Sequence, residues 1–101
     1  MTPQINPTNL TTTLTNQGHT ILDSNYQTRY GIIPLITLTN DQILHFVYTE
    51  CAGRHGGYDQ DARRAAVEWL LDPQNRTSHQ LVHFDLASLR DNQLIITPNA
   101  L

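Results

Sequence analysis

A single strongly amphipathic helix stands between two groups of strand-forming segments, and this arrangement limits the folds open to the chain. Asp59 to Leu71 predict the helix because their apolar residues recur at the spacing of one helical face. That face comprises Ala62, Ala65, Ala66, Trp69 and Leu70. Asp59 suits the amino-terminal cap, Arg64 and Glu68 have the spacing of an ion pair, and Pro73 follows the last turn.

Strand-forming segments lie on both sides of this helix. They are His19 to Gln27, Gly31 to Thr39 and Ile43 to Cys51 before it, and Gln80 to Leu86 and Leu94 to Ile96 after it. Residues 39–42 have turn chemistry, as do residues 89–93. A weaker helix over residues 7–17, with Leu10 and Leu14 on one face, ends at Gly18. One crossover helix within a set of strands predicts an α/β sandwich with a mixed sheet.

Length and charge narrow the function classes. The 101 residues predict one domain, residues 1–101, in which the uncharged residues 1–8 are loosely ordered. The net charge of -3 argues against a general polyanion binder, since such proteins carry a basic surplus. All six cationic side chains are arginine. The lack of lysine excludes any mechanism that needs a lysine ammonium group.

The single cysteine and the hydropathy pattern bear on the compartment. Cys51 has no second cysteine with which to form an internal disulfide. No charged-then-apolar leader is visible, and no apolar run approaches the roughly 20 residues that span a bilayer. We therefore expect a cytoplasmic protein with no membrane partner.

Five short motifs, taken in order, resemble a known family. They are GHTIL (residues 18–22), RYGIIPLI (29–36), ILHFVYTECAGR (43–54), VHFDL (82–86) and ITPNAL (96–101). This set resembles the YraN-like family, small bacterial proteins of the restriction-endonuclease-like PD-(D/E)XK superfamily. The resemblance implies a three-layer sandwich in which helices flank a mixed central sheet of about five strands.

The same resemblance implies where a nuclease site would lie. Family members carry Gly-Glu-Ile-Asp-Leu-Ile on one strand and Phe-Val-Glu-Val-Lys-Thr-Arg on the next, and the superfamily uses these side chains to hold divalent cations and activate water. Ile32 and Pro34 stand at the glutamate and aspartate of the first strand. Tyr48 and Glu50 stand at the glutamate and lysine positions of the second strand. Shifting the alignment by two residues puts Glu50 at the glutamate position, but Ala52 then stands at the lysine position. The resemblance therefore implies a nuclease-like protein without catalysis, metal or cofactor.

Several other residue groups have a plainer interpretation than a functional site. Cys51, His55, His79 and His83 are residue types that bind zinc, but they lack the tight paired spacing of zinc sites. A nucleophilic Cys51 with His55 or His45 as base lacks a recognisable third partner. The favoured interpretation is structural histidines and an inert cysteine.

Two functions from different classes remain. The superfamily resemblance implies binding of DNA or RNA, and the candidate phosphate-binding residues are Arg29, Arg54, Arg63 and Arg64. Three nearby tyrosines could stack on unpaired bases, although packing over the sheet edges is the plainer interpretation: Tyr26, Tyr30 and Tyr58. The alternative is a structural or interaction module for a protein partner or a homodimer, in which the substituted cleft is apolar. An active metal-dependent endonuclease ranks last.

Overall fold

The computed structural model describes residues 7–49, 58–75, 79, 81–91 and 93–99. Its elements are α1 (Pro7–Asn16), β1 (Thr20–Thr28), β2 (Gly31–Leu38), β3 (Ile43–Thr49), α2 (Tyr58–Leu71), a short 3-10 helix (Pro73–Asn75), β4 (Leu81–Arg90) and β5 (Gln93–Thr97). The predicted order of one helix, three strands, one helix and two strands is confirmed. Most of the segment predicted to be loosely ordered lies outside the described residues.

The five strands form one sheet in the order β1-β2-β3-β4-β5. β3 and β4 are parallel, and the other three pairings are antiparallel. Parallel neighbours cannot be joined by a tight turn, so the chain crosses over through α2 between β3 and β4. The fold is α/β with a mixed sheet and a helix against each face, which matches the predicted restriction-endonuclease-like sandwich.

The face of the sheet under α2 carries the larger part of the core. Its buried members are Ile33, Ile36, Leu44, Phe46, Tyr48, Ala62, Ala65, Ala66 and Trp69. The predicted alanine and tryptophan stripe is confirmed, and the Trp69 ring meets Phe46 edge-on at 5.8 Å between centroids. The inclusion of Leu70 is wrong, because this side chain is 37% exposed. Leu70 is turned about 100° around the helix from Trp69, which already fills the space over the sheet.

The opposite face is covered by α1. Leu10 and Leu14 pack against Leu35, Val47 and Ala87, so the predicted pair on α1 is confirmed. α1 ends before a glycine with a φ of 92°, a left-handed conformation that glycine adopts without strain. Neither helix in the described part of the chain has the length and apolar character that a membrane crossing requires.

β4 is longer than the sequence predicts. The sequence pattern predicts an end at Leu86 and a turn over residues 89–93, but the strand continues to Arg90. Residues 86–90 pair with β5 in register, so that Leu89 lies opposite Leu94 and Arg90 opposite Gln93. Backbone pairing with β5 therefore extends the strand beyond the stretch in which apolar residues alternate.

Candidate functional site

A small pocket lies where β2 begins, β3 ends and α2 makes its first turns. Its volume is about 210 Å³, and its lining comprises Tyr30, Gly31, Ile32, Tyr48, Asp61, Ala62 and Ala65. The pocket brings together Ile32 and Tyr48, two of the four positions that the family resemblance assigns to the nuclease site. Pro34 is not among its described lining residues, and Glu50 lies outside the residues that the structure describes.

The backbone of β2 departs from strict alternation beside this pocket. Ile33 and Ile36 are three residues apart, yet both belong to the core under α2. Pro34 lies between them, opposite Asn25, whose φ of 50° is in the left-handed region. The pleat is therefore interrupted at this point, and the spacing of side chains along β2 does not by itself assign them to one face.

The described pocket residues do not fit the divalent cation of the nuclease superfamily. The Tyr48 hydroxyl donates a hydrogen bond to the backbone carbonyl of Ala62 at 3.2 Å, and burial raises its pKa. It therefore remains a neutral phenol. Asp61 is the one carboxylate among these residues, and it is exposed and 3.8 Å from Arg64. A hard divalent cation takes about six oxygen ligands, which this lining does not supply.

Two of the predicted arginines meet at one aromatic ring on the rim of the pocket. The guanidinium carbon of Arg29 is 6.0 Å and that of Arg64 is 5.8 Å from the centre of the Tyr30 ring. Tyr30 is 38% exposed. We call these three residues the Tyr30 surface. Exposed cations beside an accessible aromatic face are the elements of a stacking platform for bases.

An acidic residue limits the charge of the Tyr30 surface. Arg29 Nε lies 2.8 Å from Glu68 Oε1, and the Arg29 backbone N–H donates to Glu68 Oε2 at 3.1 Å. The spacing of Arg64 and Glu68 along α2 allows an ion pair, but Glu68 pairs with Arg29 and Arg64 lies near Asp61. The hairpin between β1 and β2 brings Arg29 to the helix, where the carboxylate binds both its side chain and its backbone.

The other two predicted arginines are not part of this surface. The guanidinium carbon of Arg63 lies 5.3 Å from the centre of the Phe84 ring, over β4. Arg63 and Arg64 are neighbours in sequence but point to different sides of α2, because successive residues are about 100° apart around a helix. Arg54 lies outside the described residues.

A wider groove lies on the other side of Arg29. It has a volume of about 640 Å³ and is lined by Tyr26, Gln27, Thr28, Arg29, Glu68, Leu71 and Asp72. Two of these side chains are acidic, and Arg29 already binds one of them. Tyr26, one of the predicted stacking residues, is directed to Asp72, with 3.4 Å between its hydroxyl and Asp72 Oδ2. The groove is therefore less suited to a polyanion than the Tyr30 surface is.

The face of the sheet away from α2, opposite the small pocket beside Tyr48, contains a group of largely buried polar side chains. His45, His83 and Asp85 each offer one potential ligand atom, and these atoms lie within 4.8 Å of one another. We call these residues the histidine cluster. His45 Nδ1 is 2.7 Å from Asp85 Oδ2, and the backbone N–H of Asn99 donates to Asp85 Oδ1 at 2.8 Å. Asp85 is only 1% exposed and His45 only 7%.

His19 borders the histidine cluster from the segment that follows α1. Its ring centre is 4.6 Å from that of His45, and its Nδ1 is 2.6 Å from Thr37 Oγ1. Burial lowers the pKa of His19, and the neighbouring His45 lowers it further, so His19 is neutral at pH 7. The hydrogen bond to Thr37 holds the His19 ring beside the histidine cluster.

Sequence reasoning found one member of this cluster and missed the others. His83 was grouped with His79, Cys51 and His55, but the structure brings His83 to His45 and Asp85. Cys51 and His55 lie outside the described residues, and His79 is not a member. The available signal was the two-residue spacing of His83 and Asp85, which puts both on one face of a strand. The contribution of His45 depends on the pairing of β3 with β4.

Comparisons with known proteins place the chain among bacterial relatives. No protein-family model matches it. It is 35% identical to a UPF0102 protein of Bifidobacterium longum, over 75% of this chain and 69% of that protein. A UPF0102 protein of the subspecies infantis matches to the same extent. A UPF0102 protein of Campylobacter concisus is 38% identical over 52% of this chain and 45% of its own length. This protein belongs to the UPF0102 family.

Proposed function

We propose that this protein is a catalytically inactive, nuclease-like cytoplasmic protein that binds single-stranded nucleic acid at the Tyr30 surface. The observation that carries the proposal is the position of two guanidinium groups, Arg29 and Arg64, around one exposed aromatic ring. Aromatic rings stack on any base, and arginine makes forked contacts with phosphate. The adjoining pocket supports the absence of catalysis because its described lining residues, Ile32 and Tyr48 among them, include no set of metal-binding carboxylates.

The charge of the molecule limits the strength of this interaction. With a net charge of -3, a short contact involving few phosphates is favoured over a long basic track. Two arginine–phosphate contacts predict a slope of about -1.4 for the logarithm of the affinity against the logarithm of salt concentration on single strands. This slope distinguishes a small stacking site from a general polyanion surface.

The test is fluorescence anisotropy of labelled single-stranded, duplex and branched DNA and RNA, with Mg²⁺ and a salt series. We expect saturable binding of single strands without cleavage products. Tyr30→Ala should cost about 1–3 kcal/mol of binding, the range for one stacked base. Arg64→Ala should also weaken binding. Glu68→Gln should strengthen it, because Arg29 then loses its anionic partner.

Arg63→Ala is the matched control, since Arg63 has the same charge and adjoins Arg64 in sequence but lies over Phe84. Arg63→Ala should bind nucleic acid as the wild type does. The binding of Arg54→Ala is measured in the same experiment. Absence of binding at low salt, or an equal loss in Arg63→Ala and Arg64→Ala, would contradict the proposed site. Mg²⁺-dependent cleavage by the wild type would contradict the proposed inactivity.

A second candidate function is self-association through the outer side of α2. Val67 is 51% and Leu71 is 76% exposed, and they lie four residues apart on one helical stripe. The stripe lies on one side of a single helix, so two copies of the chain can pair through the same apolar patch about a two-fold axis. This arrangement favours a second copy of the chain as the partner.

Sedimentation equilibrium tests this candidate. The wild type should show a monomer–dimer equilibrium, and Leu71→Arg should shift it to monomer because a charge then enters the apolar contact. Leu81→Arg, which changes an exposed leucine on β4, is the matched control and should not alter the equilibrium. A wild type that remains monomeric at high concentration would rule the candidate out.

A further inference from the structure

We propose that the histidine cluster, His45, His83 and Asp85, binds a divalent transition-metal ion such as Zn²⁺. This site is separate from the pocket that the family resemblance indicates. His45 and Asp85 alternate along their strands with Phe46 and Phe84, which face α2, and so the cluster lies on the other side of the sheet. The inference does not depend on nucleic-acid binding.

The sheet itself brings the three side chains together. In the parallel pairing of β3 with β4, His45 lies directly opposite His83, and Val47 lies opposite Asp85. His83 and Asp85 are two residues apart and therefore share a face. One ligand atom from each of the three residues lies within 4.8 Å of the others. Because the residues lie on neighbouring strands and not on a loop, the backbone holds them in place.

The ring of His83 supplies the observation that points to a ligand. Its Nδ1 atom is buried, and no hydrogen-bond partner is found for it in the described part of the chain. Buried polar side-chain atoms in proteins nearly always have a partner. The lone pair of a neutral imidazole nitrogen is also the commonest metal-binding group in proteins. A metal ion would satisfy this nitrogen.

The surroundings of Asp85 fit the same interpretation. This carboxylate is 1% exposed and accepts one hydrogen bond from the backbone of Asn99, while its other oxygen pairs with His45. Buried carboxylates in proteins are paired or coordinate metal ions, and a divalent cation beside Asp85 would act in the second way. The Asn99 hydrogen bond corresponds to the outer interactions that commonly orient metal-binding carboxylates.

The donor set indicates which metals would bind. Two imidazole nitrogens and one carboxylate oxygen suit Zn²⁺, Co²⁺ or Ni²⁺ better than Mg²⁺ or Ca²⁺, which prefer oxygen donors alone. Zinc lies about 2.0–2.2 Å from such ligands, so binding must shorten the widest separation between ligand atoms. Three protein ligands leave the fourth tetrahedral position to water or another group.

The test is isothermal titration of the full chain with Zn²⁺, supported by the visible absorption spectrum with Co²⁺. We expect one ion per chain. His83→Gln should weaken binding at least about tenfold, since even loss of an outer partner has an effect of this size. Two controls should retain the wild-type affinity: His79→Gln, which changes another histidine of the group that the sequence suggested for zinc, and Cys51→Ser, which removes the other predicted ligand type. Circular dichroism verifies that each variant is folded.

Proton–nitrogen NMR spectra of the histidine rings in the wild type keep the proposal testable if His83→Gln does not fold. Added zinc should shift the ring nitrogens of His45 and His83. Three results would overturn the proposal: no zinc binding by the wild type, undiminished binding by folded His83→Gln, or zinc shifts confined to His55 and His79.

Discussion

Replacing Asp85 with alanine is expected to destabilise the protein by about 3 kcal/mol, the upper end of the cost of leaving a buried polar group without its hydrogen-bond partner. The variant leaves His45 Nδ1 and the backbone N–H of Asn99 without the carboxylate that both now contact at less than 3 Å. Unpaired buried polar groups retain their full desolvation cost. Urea unfolding of metal-free protein, followed by far-ultraviolet circular dichroism, measures the effect.

Two further variants identify the cause of this loss. Asp85→Asn keeps the shape and one acceptor oxygen, so it should lose less stability than Asp85→Ala. The double variant His45→Ala, Asp85→Ala should lose less than the sum of the two single changes, because each single change already breaks the shared contact. Strict additivity, or a loss below about 1 kcal/mol in Asp85→Ala, would show that this contact contributes little to stability.

Trp69→Ala is the second large effect, with an expected loss of about 3–5 kcal/mol for removing a buried aromatic side chain. Trp69 is 2% exposed, lies at the centre of the core under α2, and donates from Nε1 to Asp23 Oδ2 at 3.2 Å. A small domain has a total stability of about 5–15 kcal/mol, so this variant will be close to unfolding. Circular dichroism is again the appropriate measurement, since Trp69 is the single tryptophan and its fluorescence is lost.

Two comparisons separate packing from hydrogen bonding at this position. Trp69→Phe retains an aromatic ring beside Phe46 but removes the contact with Asp23, so its loss should lie between those of the wild type and Trp69→Ala. Leu81→Ala removes a side chain that is 57% exposed and should change stability by about 0.5 kcal/mol or less. Equal effects of Trp69→Ala and Leu81→Ala would contradict the placement of Trp69 in the core.

Local periodicity was sufficient to predict the elements and their order. The spacing of Ala62, Ala65, Ala66 and Trp69 indicates which side of α2 is buried, because the geometry of a helix depends only on its own backbone. A helix between strand segments implies a crossover and hence a parallel pair, which the structure forms between β3 and β4. The structure differs from these predictions where pairing with another strand changes the length of an element. β4, for example, extends to Arg90 because it pairs with β5.

The candidate sites depended much more on contacts between distant parts of the chain. Glu68 binds Arg29, which is 39 residues away in sequence, instead of its helical neighbour Arg64. The sequence pattern does not distinguish Arg63 from Arg64 as candidate binding residues, but α2 directs them to different surfaces. A pattern of charged residues therefore identified candidates for binding without showing which of them act together.

The sequence by itself determined the class of fold and the buried side of α2, because these follow from local periodicity. Its identity to known proteins also determined that the chain belongs to the UPF0102 family. Only the tertiary structure decided that His45 lies opposite His83 with Asp85 beside them, and that Arg29 and Arg64 meet at Tyr30. The physical reason is that strand register and helix orientation arise from the packing of the whole sheet. Neighbouring residues along the chain do not encode which distant side chains will face each other.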